Sequence, residues 1–287
     1  MMPFTLNIRG GMVSYDRPVV MGIINATPDS FYAGSRTLVA DEISRRAEAM
    51  CADGADIIDV GACSTRPGAE VVAEAEELER LAMALPAVRR AVGGDVLVSV
   101  DTFRASVARV AVKELGADIV NDVSGGTLDA DMFATVASLA CPYILMHTRG
   151  TPATMQTMTD YNDVCADVIK ELSFKLAKLR ELGVADVIID PGFGFAKTSE
   201  QNYELLAGLS LFDVLGCPVL VGVSRKSMLT ATLGISAENA ATPTAILGAL
   251  ALERGASVLR VHDVLAARQS IELLKALKYD FICSPSV

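Results

Sequence analysis

Short runs of Val, Ile and Leu recur along the chain, each closing on a polar residue and followed by a stretch long enough for one helix. There are eight: RPVVMGIIN, ADIIDVG, VLVSVDT, ADIVNDV, PYILMHT, DVIIDPG, PVLVGVSRK and ASVLRVHD. With Asn25, Asp59, Asp101, Asn121, His147, Asp190, Ser224 and His262 as their ends, the successive spacings are 34, 42, 20, 26, 43, 34 and 38 residues, which suits one strand plus one helix per unit. Between them, stretches such as Val72 to Val92, Ala105 to Leu115, Asp160 to Leu182 and Leu265 to Lys278 put apolar residues at i, i+3 and i+4, with Glu, Lys and Arg on the other face. Several end in a glycine just before the next strand, as in ADGAD, ELGAD and ELGVAD, a left-handed helix stop.

Strands that are apolar throughout, rather than alternating, must be covered on both faces, so the sheet is predicted to be parallel with helices outside it. At this length the pattern predicts a (β/α)₈ barrel, a single domain over residues 1–287. A doubly wound open sheet is the alternative, because periodicity does not show closure. No Gly-x-Gly-x-x-Gly follows the first run, which counts against a dinucleotide fold. Ahead of the first unit, FTLNIRGGMVSYD predicts a β-hairpin around Gly10-Gly11 that closes the bottom of the barrel.

Charge narrows the partners. The 287 residues carry a formal charge of −10 and a pI near 4.8, the wrong sign for gripping a phosphate backbone, so no nucleic-acid partner is expected. Mean hydropathy is high at +0.39, yet no uninterrupted apolar stretch nears the roughly eighteen residues of a membrane span. MMPFTLNIRGG has no apolar segment behind a basic start, and a soluble cytoplasmic protein without a membrane partner is the expectation. Six cysteines lie far apart with no C-x-x-C pair, and reduced thiols are expected.

In such barrels chemistry gathers where strands end and the following loops begin. Those ends carry Asn25 with Asp29, Asp59, Asp101 with Thr102, Asn121 with Asp122, His147 with Arg149, Asp190, Arg225 with Lys226, and Arg260 with His262 and Asp263; both histidines of the chain are among them. Taken singly, Asp59 is as able to anchor loop backbone as to touch a ligand. Taken together, they suit a ligand with two kinds of surface. A carboxylate such as Asp190 or Asp101 can accept two parallel N–H bonds from a guanidine-like heterocycle edge. Arg66, Arg260 and His262, with Lys226 near, suit a phosphate or diphosphate, and Asn25 suits a Mg²⁺ that keeps much of its water. Two distant histidines make no zinc site, VGVSRKS is no nucleophile elbow, and Lys226 as a Schiff-base former stays open.

The residues also carry a resemblance. MGIINATPDSF at 21–31, IIDVGACSTRPGAE at 57–70, VSVDTFRASVA at 98–108, IVNDVSGG at 119–126, LMHTRGTPATMQ at 145–156, DPGFGFAKTSEQN at 190–202, PVLVGVSRKSML at 218–229 and LRVHDV at 259–264 occur in order at workable spacing. On these the chain resembles the dihydropteroate synthase family over essentially its whole length. The resemblance implies a barrel that condenses 6-hydroxymethyl-7,8-dihydropterin diphosphate with 4-aminobenzoate to 7,8-dihydropteroate and diphosphate, with Mg²⁺, by a dissociative substitution. It implies that Asp101, Asn121, Asp190 and Lys226 hold the pterin, with Val123, Met146, Phe195 and Gly222 shaping its pocket. Asn25 would sit on the metal, while Arg66, Arg260 and His262 bind diphosphate. Thr65, Pro67, Phe195, Lys226 and Ser227 would face the aminobenzoate. Asp101, Lys226, Arg260 and His262 are the implied catalytic set, the TPDSFYAGS and STRPG stretches are implied to be closing loops, and a homodimer through late outer helices is implied.

The family commonly has an acid or amide at Cys63, Val at Ala26, Gly at Ala196 and Ser-Asp-Gly-Gly where this chain has YAGS; these departures touch loop packing rather than the named ligands. Two rivals are a pterin-dependent methyltransferase barrel, not expected to keep STRPG, SRKS and RVHD together, and a non-catalytic pterin-binding paralogue.

Overall fold

A computed structural model of the chain describes residues 3–26, 36–63 and 72–282. It opens with an antiparallel hairpin, β1 (Phe4–Ile8) and β2 (Gly11–Tyr15), and then alternates strand and helix. The first half continues with β3 (Val19–Asn25), α1 (Arg36–Ala52), β4 (Ile57–Gly61), α2 (Glu74–Val92), β5 (Leu97–Asp101), α3 (Ala105–Lys113), β6 (Ile119–Asp122), α4 (Met132–Leu139) and β7 (Tyr143–Met146). The second half runs α5 (Val164–Glu181), β8 (Val187–Asp190), α6 (Ser199–Ala207), β9 (Leu220–Val221), α7 (Ser227–Leu233), α8 (Ala241–Glu253), β10 (Val258–Val261) and α9 (Val264–Ile282).

The eight strands β3 to β10 are parallel and pair in the order β8-β7-β6-β5-β4-β3-β10-β9. A parallel bridge from Ile189 to Val219 brings the ends of that order together, with the Ile189 N–H donating to Pro218 O at 2.9 Å. The sheet is therefore a closed (β/α)₈ barrel, and the open doubly wound alternative is set aside. The four helices expected in detail are present with shifted ends. The stretch expected from Asp160 becomes helical only at Val164, because Asp163 caps it by accepting the Ala166 N–H at 2.9 Å.

Alternation along each strand divides the core in two. Outward residues such as Val20, Ile58, Val98, Leu145 and Leu259 pack against the helices in one large cluster. Inward residues near the strand starts, among them Met21, Ile57, Leu97, Ile119 and Leu220, form a second cluster, and the hairpin supplies Leu6 to it with Phe4, Ile8 and Tyr15 at its edge. The hairpin thus plugs the barrel's bottom as the sequence suggested, with its turn one residue earlier. Ile8 pairs with Gly11, so Arg9 and Gly10 make the two-residue turn, at φ 52° and 82°. The plug is tied down where the Asn7 N–H donates to Asp186 Oδ2 at 2.8 Å. Among the described residues no helix is long and apolar enough to cross a membrane, and no disulfide links the cysteines.

Leu6 is 1% exposed whereas Met12, on the partner strand, is 73% exposed. Leu6→Ala is expected to cost about 2–4 kcal/mol in urea unfolding and Met12→Ala less than about 0.5 kcal/mol. Equal effects would mean that the hairpin does not plug the barrel.

Candidate active site

Above the apolar layer the inward faces turn polar. Two residues beyond Ile57 comes Asp59; beyond Leu97 come Ser99 and Asp101; beyond Ile119, Asn121; beyond Ile188, Asp190; and beyond Val258, Arg260 and His262. A period of two therefore stacks these side chains inside the barrel toward the carboxyl ends of the strands.

Arg260 joins them. Its Nε donates to Asp59 Oδ2 at 2.7 Å, and its Nη2 lies 2.6 Å from the same oxygen and 2.8 Å from Asp101 Oδ2. Asn121 Nδ2 donates to Asp59 Oδ2 at 3.0 Å, which leaves the Asn121 amide oxygen for a ligand. Asp59 Oδ1 and Ser99 Oγ, on residues paired in register, are the buried side-chain polar atoms among the described residues without a hydrogen-bond partner. The floor of the mouth keeps hydrogen-bonding capacity there.

Burial pushes the Asp101 carboxyl up to about 7, with Arg260 opposing the rise and Asp59 adding to it. Burial likewise raises Asp190, against Lys226; one Asp190 oxygen already accepts the Gly192 N–H at 2.8 Å. Burial lowers Lys226 to about 8, with Asp190 opposing. For Arg260 burial also acts to lower the pKa, but Asp59 and Asp101 together outweigh it and the guanidinium stays charged.

The β9–α7 turn presents the second cation. Arg225, at φ 58°, turns away from the mouth and forks onto Asp263, with Nε–Oδ2 at 3.2 Å and Nη2–Oδ1 at 2.8 Å. Lys226 then faces inward, where its Nζ donates to Phe193 O and sits 4.5 Å from the centre of the Phe195 ring. Ser227 follows, exposed, at the start of α7. Ser224 Oγ accepts the His262 backbone N–H at 3.2 Å and lies 2.9 Å from His262 Nδ1. This contact fixes the orientation of the His262 ring and leaves Nε2 as its second ring nitrogen for a ligand.

The remaining candidates line the same mouth. Asn25 is half-buried at the end of β3, in register with Gly61. Met146 is buried, and Val123 and Phe195 are half-buried beside a depression that Thr148, Pro152 and Met155 also line. A methyl group at Gly222 would meet nothing closer than Arg260 Cβ at 4.0 Å, so this position is open floor. Thr65, Arg66 and Pro67, together with Asp29 and both expected closing loops, lie outside the described residues. Cys63 is half-buried, and burial raises its thiol pKa.

Asp122, His147 and Arg149 also stay out of the mouth. Asp122 lies one residue beyond inward Asn121 and so faces outward, where it accepts from Ser124 N at 2.7 Å, Gly126 N at 2.8 Å and Tyr143 Oη at 2.7 Å. His147, one beyond Met146, faces outward to Glu171 at 3.0 Å and Lys197 at 3.1 Å. Arg149 follows it, forking onto Glu171 with its guanidinium 3.8 Å from the centre of the Tyr161 ring. Conversely, Asp59 is more than a loop anchor, since it orients both Arg260 and Asn121; its place two residues after Ile57 was the available signal.

Ala196, where the resemblance leads one to expect glycine, sits at φ 49°. Ala196→Gly is expected to raise stability by about 0.5–1 kcal/mol in urea unfolding, relief of the left-handed strain outweighing the added freedom of the unfolded chain. A lowered midpoint would show that its buried methyl group matters more than its backbone.

A family model described as pterin binding enzyme matches residues 21–262. A dihydropteroate synthase of Synechocystis sp. is 43% identical over 264 residues, covering 91% of this chain and 90% of that protein. Among solved structures, Xanthomonas albilineans dihydropteroate synthase with 4-aminobenzoic acid superposes with a TM-score of 0.88 at 35% identity, covering 98% of this chain and 99% of that one. The same enzyme in complex with 7,8-dihydropteroate gives a TM-score of 0.85 at 33% identity, over 98% and 100% of the two chains. With the barrel, the inward carboxylates and the cations at its mouth all in place, the chain belongs to the dihydropteroate synthase family of pterin-binding enzymes.

Proposed function

We propose that the chain joins 6-hydroxymethyl-7,8-dihydropterin diphosphate to 4-aminobenzoate, releasing 7,8-dihydropteroate and diphosphate. The observation that carries this reading is the pairing of Arg260 with Asp59 and Asp101 inside the mouth, with Asp190 and Lys226 beside it. It sets carboxylates for a guanidine-like edge next to cations for an anionic leaving group.

Asp101, Asn121, Asp190 and Lys226 hold the pterin, and the open floor at Gly222 with Val123, Met146 and Phe195 forms a slot for a flat ring. Arg260 and His262 take the diphosphate with Arg66. Phe195, Lys226 and Ser227 meet the aminobenzoate with Thr65 and Pro67. The electron pair of the C–O bond leaves with diphosphate, the arylamine nitrogen forms the new C–N bond to the pterin cation, and the amine then sheds a proton. Asp101 is the counter-charge for that cation, and Arg260 with His262 stabilises the departing oxygens. An arylamine needs no activated nucleophile, so the chain's remaining tasks are orientation and exclusion of water.

Mg²⁺ is assigned to Asn25. No cluster of three or more His, Cys, Asp and Glu among the described residues is placed to hold a metal. One amide oxygen at a strand end fits a Mg²⁺ that takes its other ligands from water and diphosphate. When bound there, it would supply positive charge to the diphosphate oxygens. A cytoplasmic homodimer completes the reading. Its support is the apolar surface late in the chain, where Leu233, Ile246, Leu250, Leu265 and Leu273 on α7, α8 and α9 are between 41% and 69% exposed.

The test is formation of dihydropteroate and release of diphosphate with Mg²⁺, with and without 4-aminobenzoate. Asp190→Ala is expected to abolish pterin binding and Ser227→Ala mainly to raise the aminobenzoate KM. Pterin binding without turnover in the unaltered chain would sink the enzyme reading, and the reverse variant pattern would sink the assignments. Because the raised Asp101 carboxyl ionises near pH 7, kcat/KM for the pterin substrate is expected to fall as pH drops below about 7. Asp101→Asn should be slow throughout and lack that limb; a limb at the same pH in the variant would exonerate Asp101.

A further inference from the structure

The β8–α6 loop, residues 191–198, needs holding from outside. Gly192, Gly194 and Ala196 alternate at φ 76°, 78° and 49°. A methyl group at Gly192 would stand 1.9 Å from His147 O, and one at Gly194 would stand 2.9 Å from Lys226 Cδ. The loop is therefore a thin layer between the end of β7 behind it and Lys226 in front.

Lys197 closes the loop from behind. Only 4% exposed, with burial lowering its pKa to about 7 against Asp190, it donates in its ammonium form from Nζ to Gly192 O at 3.0 Å, to Phe195 O at 3.1 Å and to His147 Nδ1 at 3.1 Å, three donors for three acceptors. Burial drives His147 down to about 4, against the opposing Glu171, so the ring is neutral. Its Nδ1 accepts, hence its proton is on Nε2, which donates to Glu171 Oε2 at 3.0 Å. Arg149 holds Glu171 in turn. In front, the Phe193 carbonyl accepts from Lys226, whose ammonium lies over the Phe195 ring. Successive carbonyls of one loop are thus bound by two lysines on opposite sides.

We infer that Lys197, oriented by His147 and Glu171, is a positioning residue for the arylamine side of the mouth. By fixing the Gly192 and Phe195 carbonyls it sets the Phe195 ring and, through the Phe193 carbonyl, the Lys226 ammonium. It touches neither substrate. The inference rests on the proposed reading of Phe195 and Lys226 as facing 4-aminobenzoate.

The experiment compares the full chain with its Lys197→Met variant, in which the side-chain length is kept and the three donors are lost. Steady-state kinetics, pterin-diphosphate binding and mass-spectrometric mapping of Lys226 acetylation by acetic anhydride are measured on both. The aminobenzoate KM is expected to rise about tenfold and Lys226 to acetylate about threefold faster, while the pterin Kd, which Asp101, Asn121 and Asp190 also hold, rises by no more than about threefold. Unchanged KM and unchanged acetylation overturn the inference; so does a uniform loss in which the pterin Kd rises by as large a factor as KM. If the unaltered chain makes no dihydropteroate, the proposed reaction falls, and acetylation of Lys226 alone decides whether the positioning role stands. Should Lys197→Met not fold, Glu171→Ala, at a site 36% exposed, is expected to shift the same readouts in the same direction by about threefold, and no shift there overturns the role.

Discussion

The buried guanidinium of Arg260 is what allows the mouth of this barrel to hold carboxylates at all. Asp59 has no exposed surface, and burial already works to neutralise Asp101. A carboxylate in such a place persists as a charge only if paired and hydrogen-bonded. Strand β3 lies between β10 and β4, so Arg260 must reach past the inward side of β3 to Asp59 and one strand further to Asp101. Its fork contacts two acids at once, which the single ammonium of a lysine would not do with the same fixed geometry. Removing one member of such a group typically costs about 3–5 kcal/mol, because a buried charge is left uncompensated. The same pairing turns Asn121: with its NH₂ given to Asp59, the amide oxygen faces the mouth.

That polar layer rests on an apolar one, and the two were unequally legible in the sequence. The eight strands stood out because residues such as Val20 and Ile58 meet helices while Met21 and Ile57 meet the plug, so both faces read as apolar. The polar ends stood out for the opposite reason, since the plug does not reach that height. Which member of each polar pair faces inward was not legible. Asn121 and Asp122 are adjacent and equally polar, and only the strand register decides that Asn121 enters the mouth while Asp122 braces Ser124 and Gly126. His147 misled for the same reason. The hairpin turn shifted to Arg9 and Gly10 because glycine content marks a turn without fixing its register.

The β8–α6 loop marks a second limit of sequence reading. DPGFGFAK announces a loop through its glycines and a ligand through Asp190, but nothing in it announces Lys197. The acceptors of Lys197 are two backbone carbonyls and a histidine fifty residues away in the chain, and backbone acceptors leave no trace in residue identity. Ala196 is the converse case. Its left-handed backbone is invisible in the alanine itself, yet a glycine expected there has a physical reason once φ is 49°.

The presence of two carboxylates on one arginine follows from what the proposed reaction demands. Breaking a C–O bond before the new bond forms separates a pterin cation from a diphosphate anion, and the mouth must favour both without holding either charge bare beforehand. In the structure Asp101 and Arg260 satisfy each other. As the cation develops, Asp101 can turn its charge to it, and Arg260 can turn part of its fork to the anion. Neither shift strands a buried charge, because Asp59, fully buried and bound to both Nε and Nη2, keeps the guanidinium paired and aimed throughout. One acid is therefore free to answer the substrate because the other never leaves the arginine, and fixed charge of that kind favours a separating ion pair with little reorganisation during the reaction.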